Sequence, residues 1–392
     1  HGKAISDLPM GSYYVQEIST NSAYIVSDAK YPVTFEYAGQ DTETVRITAN
    51  EGEAITNDII YGSVSGKKSD EDGKALGSAV IGIFKTGTTE FTKENAIAAT
   101  TSKDDGSFSF VKVPYGTWII REIESPKGYV LSEEEIAVTI GKVDEVVEIE
   151  LVNYFIKGNI ALTKVDEDYP DNKLSGAVFE VYSDTNGNGK LDKDDTLLGE
   201  MKELDGGVYQ MSELRYGKYL VKETKAPTGF VLDENVYSVS VEENGKTYTV
   251  ENKAGVGFIN AAQKGSLKIV KTSSDGKVEG FSFRVTGVDY DQTFKTDKNG
   301  EIVIEGLRIG DYTVSEVSDK ASAGYILPAD KQVTVKVNAT AIVQMHNEFR
   351  DTPKTGDDFN LGLWVSLAAL SVVGAGVLGF VGYKNRKKKK ED

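Results

Sequence analysis

The 392-residue chain contains no cysteine, which removes disulfides, thiol catalysis and Cys-ligated metal sites together. Histidine is almost as scarce. His1 and His346 are the only two, which excludes His-based triads and His-rich zinc sites, and His346, beside Asn347 in a strand pattern, reads as an outward-facing strand residue. Positive charge is in the minority, 44 Lys and Arg against 61 Asp and Glu, and the net charge of -17 argues against nucleic acid, whose phosphates need basic partners. Long apolar runs are missing until the C-terminal tail, and no long amphipathic helix is evident before it. The chain opens on His1 with no apolar secretory segment, so the expectation is that something has been removed upstream.

What is present is alternation. Strand-forming residues interleave with polar ones, and turns such as Asp105-Gly106, Asp275-Gly276 and Asn299-Gly300 separate short runs. A repeat pitch of roughly one hundred residues predicts three domains plus a fragment, each domain an all-β sandwich of about seven strands.

Three polar residues recur in the inward phase of these strands. Lysine follows apolar neighbours at period two in Val64, Gly66, Lys68, in Ile160, Leu162, Lys164 and in Leu267, Ile269, Lys271. Glutamate does so in Trp118, Ile120, Glu122, in Tyr219, Val221, Glu223 and in Tyr312, Val314, Glu316. Asparagine ends Val147, Ile149, Leu151, Asn153, then Val256, Phe258, Asn260, then Val343, Met345, Asn347. Asn57, Asn153 and Asn260 each precede the next lysine by eleven residues, with Gly62, Gly158 or Gly265 between, which marks the domain boundaries. The predicted domains are 62–157, 158–264 and 265–350. Residues 1–61, with Tyr13, Val15, Glu17 and Asn57 in the matching phases, read as the C-terminal part of a domain whose lysine strand is missing.

Buried Lys, Glu and Asn can form an ordinary hydrogen-bonded network. They can also react. Low dielectric favours a neutral, nucleophilic amine and a neutral acid able to donate a proton, and the Asn amide is then the electrophile. Held in contact, amine and amide gain effective molarity, and transamidation with loss of ammonia yields a Lys–Asn isopeptide bond.

The tail carries a second chemistry. About 25 uncharged residues, Phe359 to Tyr383, can cross a bilayer as a single helix, and the basic end at Lys384, Arg386 and Lys387 to Lys390 places everything earlier outside. Just upstream stand Thr352, Pro353, Lys354, Thr355 and Gly356. Pentapeptide, apolar helix and basic end together resemble the LPxTG cell-wall sorting signal of Gram-positive surface proteins, with Thr352 replacing leucine. That resemblance implies cleavage by a sortase between Thr355 and Gly356, transfer to a peptidoglycan precursor or a pilin lysine, and only a transient stay in the membrane.

The repeats resemble the Cna-B-type and pilin-type (SpaA-like, prealbumin-like) immunoglobulin-like domains of Gram-positive adhesins. The resemblance implies the sets Lys68, Glu122, Asn153; Lys164, Glu223, Asn260; and Lys271, Glu316, Asn347, with the glutamates catalytic. The family's Glu-x-x-x-Pro-x-Gly-aromatic run is matched by Glu122, Pro126, Gly128, Tyr129 and by Glu223, Pro227, Gly229, Phe230. The third repeat departs: no proline follows Glu316, and Gly324-Tyr325 arrive two residues late.

Asp184, Asn186, Asn188, Lys190, Asp192 and Asp195 have the spacing of an EF-hand-type calcium loop, without flanking helices; a solvated turn insertion is the alternative. No cofactor is required, and calcium would be structural. The leading expectation is a non-enzymatic, wall-anchored stalk of a surface adhesin or minor pilin, because no Tyr-Pro-Lys pilin signature occurs: Tyr31-Pro32-Val33 and Tyr169-Pro170-Asp171 do not match. The alternatives are carrier modules for a catalytic domain upstream of residue 1, or modules that bind a host protein or carbohydrate, with the N-terminal region as the place for such a ligand.

Overall fold

The structure, a computed structural model, describes residues 8–41 and 48–350. The sorting motif 352–356, the apolar segment 359–383 and the basic tail lie outside the described residues. Among those described, no helix is long and apolar enough to cross a membrane. Strands dominate, and the two helical pieces, Asn50–Gly52 and Asp205–Gly207, are single 3₁₀ turns.

Chain contacts divide the molecule into two units, 1–262 and 263–392. The first holds an N-terminal segment and two sandwiches, the second one sandwich, and each sandwich has its own hydrophobic core.

In the first sandwich the lysine strand, Tyr61–Asp70, is the middle of a three-stranded sheet, between Ser107–Pro114 and Val146–Asn153. A four-stranded sheet faces it, in the order Ala98–Thr101, Val80–Lys85, Gly116–Glu124 and Ile136–Ile140. Alternation delivers Val64, Ile81, Ile120, Val138 and Leu151 into the space between, all essentially buried. The first and last strands pair in parallel, so every other strand of the module is looped between them.

The second sandwich repeats this plan, with Lys157–Asp166 facing Gly217–Lys225, and the third with Lys264–Ser273 facing Gly310–Glu316. One expected alternation fails. The asparagine strand of the second sandwich is split into Thr247–Thr249 and Phe258–Asn260, and Val256 lies in the intervening turn instead of in a strand. Asn252 caps the excursion, its side chain bonding the backbone of Ile259 as donor and acceptor at 2.9 and 2.6 Å.

The glycine opening each repeat has a packing role. A Cβ at Gly62, Gly158 or Gly265 would lie 2.6, 2.8 or 2.2 Å from the carbonyl oxygen of Glu145, Lys246 or Lys336. Those carbonyls belong to the loop entering the asparagine strand, so the loop rests directly on the lysine strand only if no side chain intervenes.

Candidate crosslinking sites

Register places the three polar residues together in the same way each time. Lys68 lies opposite Leu151, Lys164 opposite Phe258 and Lys271 opposite Met345, so the asparagine is always two residues beyond the lysine's partner, on the same face. The glutamate comes from the centre of the opposing sheet and meets them across the core. All nine side chains are buried. The strands thus bring each Lys, Glu and Asn of a module to one place in its core.

In the first sandwich one carboxylate touches both would-be reactants. Lys68 Nζ stands 3.4 Å from Glu122 Oε1, within ion-pair range though not aligned as a hydrogen bond, while Asn153 Nδ2 donates to Glu122 Oε2 at 2.7 Å. Ser132 N and the carbonyl of Val130 complete the shell, the first donating to Glu122 Oε2 at 2.8 Å, the second accepting from Asn153 Nδ2 at 2.7 Å. In the second, Lys164 Nζ is 3.9 Å from Glu223 Oε1 and donates to the Phe258 carbonyl at 3.0 Å, and Asn260 Nδ2 is shared between both Glu223 oxygens at 2.9 Å. Asp233 N donates to Glu223 Oε2 at 2.8 Å.

The third differs as its altered loop implied. Asn347 Nδ2 donates to Glu316 Oε1 at 2.6 Å, but Glu316 Oε2 has lost the backbone donor the other two glutamates keep and is left without a hydrogen-bond partner. Lys271 Nζ donates to the Thr272 carbonyl at 2.6 Å and sits over the Phe281 ring. The late aromatic still arrives: Tyr325 OH donates to Asp275 at 2.7 Å, as Tyr129 OH does to Asp70 at 3.2 Å.

Burial drives all three amines toward neutrality. It pushes Lys68 and Lys271 down against the opposing pull of Glu122 and Glu316, and brings Lys164 down to about 8. It also pushes Glu223 and Glu316 up.

These sites concentrate unsatisfied polarity. Among the described residues, the buried side-chain atoms without a hydrogen-bond partner are Lys68 Nζ, Glu122 Oε1, Glu316 Oε2, the Oδ1 atoms of Asn153, Asn260 and Asn347, and Glu71 Oε1, which is ion-paired with Lys157 at 2.9 Å. Buried polar atoms are ordinarily satisfied, and each that is not costs about 1–3 kcal/mol.

The acidic window 184–195 forms the loop between strands Val178–Ser183 and Thr196–Glu200. Asp184 accepts from the backbone N–H groups of Asn188 and Gly189, Asp195 from those of Thr185 and Asp192, and Asp192 from the side chains of Asn186 and Asn188. Among the described residues no three acidic, His or Cys side chains gather as a metal group. His346 is exposed on its strand, as its phase required.

The sequence pattern of the SpaA prealbumin-like fold domain matches residues 62–154, 158–254 and 265–349, well over half of the chain. The chain belongs to this family. The second match stops before Asn260, at the excursion that splits the asparagine strand. Among solved structures, the Bacillus anthracis TIE protein is similar at 24% identity and a TM-score of 0.58, over 83% of this chain and 58% of that one. This chain thus spans little more than half the length of that relative, and the likeness is one of fold. The Bacillus cereus major pilin subunit BcpA aligns over 74% of this chain and 99% of its own at 17% identity and a TM-score of 0.34. The Streptococcus agalactiae minor pilin GBS52 aligns over 51% and 100% at 16% and 0.24. No curated protein matches the chain.

Proposed function

We propose that the three SpaA-type modules close themselves covalently, Lys68 to Asn153, Lys164 to Asn260 and Lys271 to Asn347, and serve as a load-bearing, non-enzymatic stalk on a Gram-positive cell surface. The observation that carries this reading is, in the first two modules, one buried carboxyl group in contact with amine and amide at once. That group takes a proton from Lys Nζ, which desolvation favours; the freed amine attacks Asn Cγ; the acid gives its proton to Nδ2, the Cγ–Nδ2 bond breaks and ammonia leaves, and the carboxylate takes the second proton that Nζ sheds in becoming an amide N–H. Contact supplies the effective molarity that an otherwise very slow transamidation needs. The resident groups suffice, so the reaction needs no cofactor and each site turns over once.

Each bond closes a loop of order one hundred residues, worth about 4–5 kcal/mol in the chain-entropy model. The three repeated SpaA-type modules support a pilus or adhesin shaft, and the pentapeptide Thr352 to Gly356 supports attachment to the wall by a sortase. The intact mass of the chain tests the bonds: wild type should fall short of its sequence mass by three ammonias, and a full sequence mass would refute them. Incubation with a sortase and an amine acceptor tests the anchor, with cleavage between Thr355 and Gly356 as the expected product.

A further inference from the structure

The second sandwich seats its asparagine with far less backbone than its neighbours do. In the first and third, the asparagine strand runs beside the lysine strand over eight paired residues, 63–70 with 146–153 and 266–273 with 340–347. In the second, three pairs end at Thr249, the chain departs, and three more begin only at Phe258. Asn260 is the last residue of that short return. Gly257 makes the re-entry possible: at φ +128° it lies so close to the lysine strand that a Cβ would stand 2.8 Å from the Thr163 carbonyl oxygen. Three ladder pairs are little to fix an amide against an amine.

Side chains supply what the ladder lacks. Asn252, inside the excursion, holds the Ile259 backbone from both sides, and its Nδ2 also donates to Asp233 Oδ2 at 2.9 Å. Tyr237 OH donates to the same oxygen at 2.6 Å, and its ring meets that of Phe258, the residue opposite Lys164, edge to face at 5.1 Å. The backbone N–H of Asp233 donates to Glu223 Oε2. One residue thus ties the strand that carries the acid to the segment that carries the amide. In the first sandwich the place of Asp233 is taken by Ser132, whose side chain accepts instead from Glu134 N at 3.4 Å, and in the third no donor reaches Glu316 Oε2. The charge matters as well. Against the burial that would raise it, bonds from Tyr237, Asn252 and Asn235 hold Asp233 below the usual carboxylate range. Burial raises Glu223 and the Asp233 charge adds to it, while burial lowers Lys164 to about 8 against the pull of Glu223 and Asp233.

We propose that Asp233 and Asn252 are positioning residues for closure of the second module: together they hold Glu223 and the 258–260 segment in one frame, so that Asn260 Cγ is presented to Lys164 Nζ. Both act through other groups, Asp233 through Glu223 and Asn252 through the Ile259 backbone. They replace, with side-chain bonds, the continuous ladder that does this work in the first and third modules. The inference rests on the crosslinking chemistry proposed above, and its experiment reads the two separately.

The full chain is synthesised, caught in denaturant before its bonds form and refolded, and intact mass with peptide mapping follows ammonia loss in each module. Asn252→Ala should slow closure of the second module about tenfold to a hundredfold, the scale on which a small misplacement of reacting groups acts, and leave the first and third at their wild-type rates. That variant also takes hydrogen bonds from the fold, so the isosteric Asp233→Asn supplies a readout that stability alone does not move. With the charge gone, Lys164 and Glu223 both titrate lower, and the pH profile of second-module closure should shift as a whole to lower pH while the other two profiles stay. Second-module closure at the wild-type rate in Asn252→Ala, or an unmoved profile in Asp233→Asn, overturns the proposal. If the wild-type chain loses no ammonia in any module, the underlying chemistry has failed and the proposal falls with it.

Discussion

Replacing Glu223 by alanine separates a covalent tie from an ordinary buried network. The carboxylate contacts Lys164 Nζ at 3.9 Å and Asn260 Nδ2 at 2.9 Å, so its removal takes away a side chain that touches both. If it relays the proton, the second module never closes, and the variant's mass deficit falls from three ammonias to two. Losing the bond forfeits about 4–5 kcal/mol. For a domain of this size that lowers the unfolding temperature by roughly 20–30 °C, read by calorimetry as one transition leaving the others in place. A network reading also predicts destabilisation on removing one partner, so temperature alone does not decide. The triple variant Lys164→Met, Glu223→Leu, Asn260→Leu does. Replacing a buried polar set by apolar residues of similar volume is commonly neutral or stabilising when no bond is at stake. Here the triple variant should stay about 4–5 kcal/mol less stable than wild type. An unchanged ammonia deficit in Glu223→Ala, or a triple variant as stable as wild type, would refute the reasoning.

Three further outcomes follow from the same geometry. The third module should close last, because Glu316 Oε2 lacks the backbone donor that positions Glu122 and Glu223; in a refolding time course its ammonia loss, assigned by peptide mapping, should lag the other two. In Asn260→Ala, which cannot crosslink, the second module should become more stable as pH rises from about 8 toward 10: the unfolded chain keeps the Lys164 proton that the folded one has released, so protons are bound more in the unfolded state, and the gain is at most about 2–3 kcal/mol. Above pH 10 the sign reverses, since Tyr237, pushed up to about 12, keeps its proton only when folded. Chelator should leave the second module's unfolding temperature unchanged, because the 184–195 carboxylates already accept from their own loop, and a downward shift on adding EGTA would establish calcium there.

The inward lysines, glutamates and asparagines were legible because a strand has a period of two and a polar residue in the apolar phase cannot be an accident of surface. The repeating glycine has a packing reason visible only in three dimensions, the carbonyl that rests on it. Alternation misled at Val256, since a short excursion can leave the phase of Phe258 and Asn260 intact while the residue before them turns away. The N-terminal Glu loop was half read: Glu17 and Asn57 matched in phase, but Asn21 and Ala23 stand where proline and glycine would have announced the loop, and the backbone bonds that define it have no sequence signature. Nor could spacing show that a single carboxyl group spans both reactants, because that depends on how two sheets face.

The position of the proposed crosslink fixes what it would protect. Parallel terminal strands pulled from opposite ends are loaded in shear, and without a bond that load passes through the ladder between Ser63–Asp70 and Val146–Asn153. With Lys68 joined to Asn153, tension entering at Tyr61 runs eight residues along one strand, crosses the side-chain amide and leaves through the linker; residues 69–152 carry none of it. The same path holds from Lys157 to Lys164 and Asn260, and from Lys264 to Lys271 and Asn347. Unfolding under force then requires breaking a covalent bond instead of crossing the barrier that sets the unfolding rate. In single-molecule pulling, wild-type modules should therefore add no contour length beyond the linkers, whereas Lys68→Met should release the segment between Tyr61 and Asn153 as one step. A wild-type trace with steps of that length would show the load path to be open.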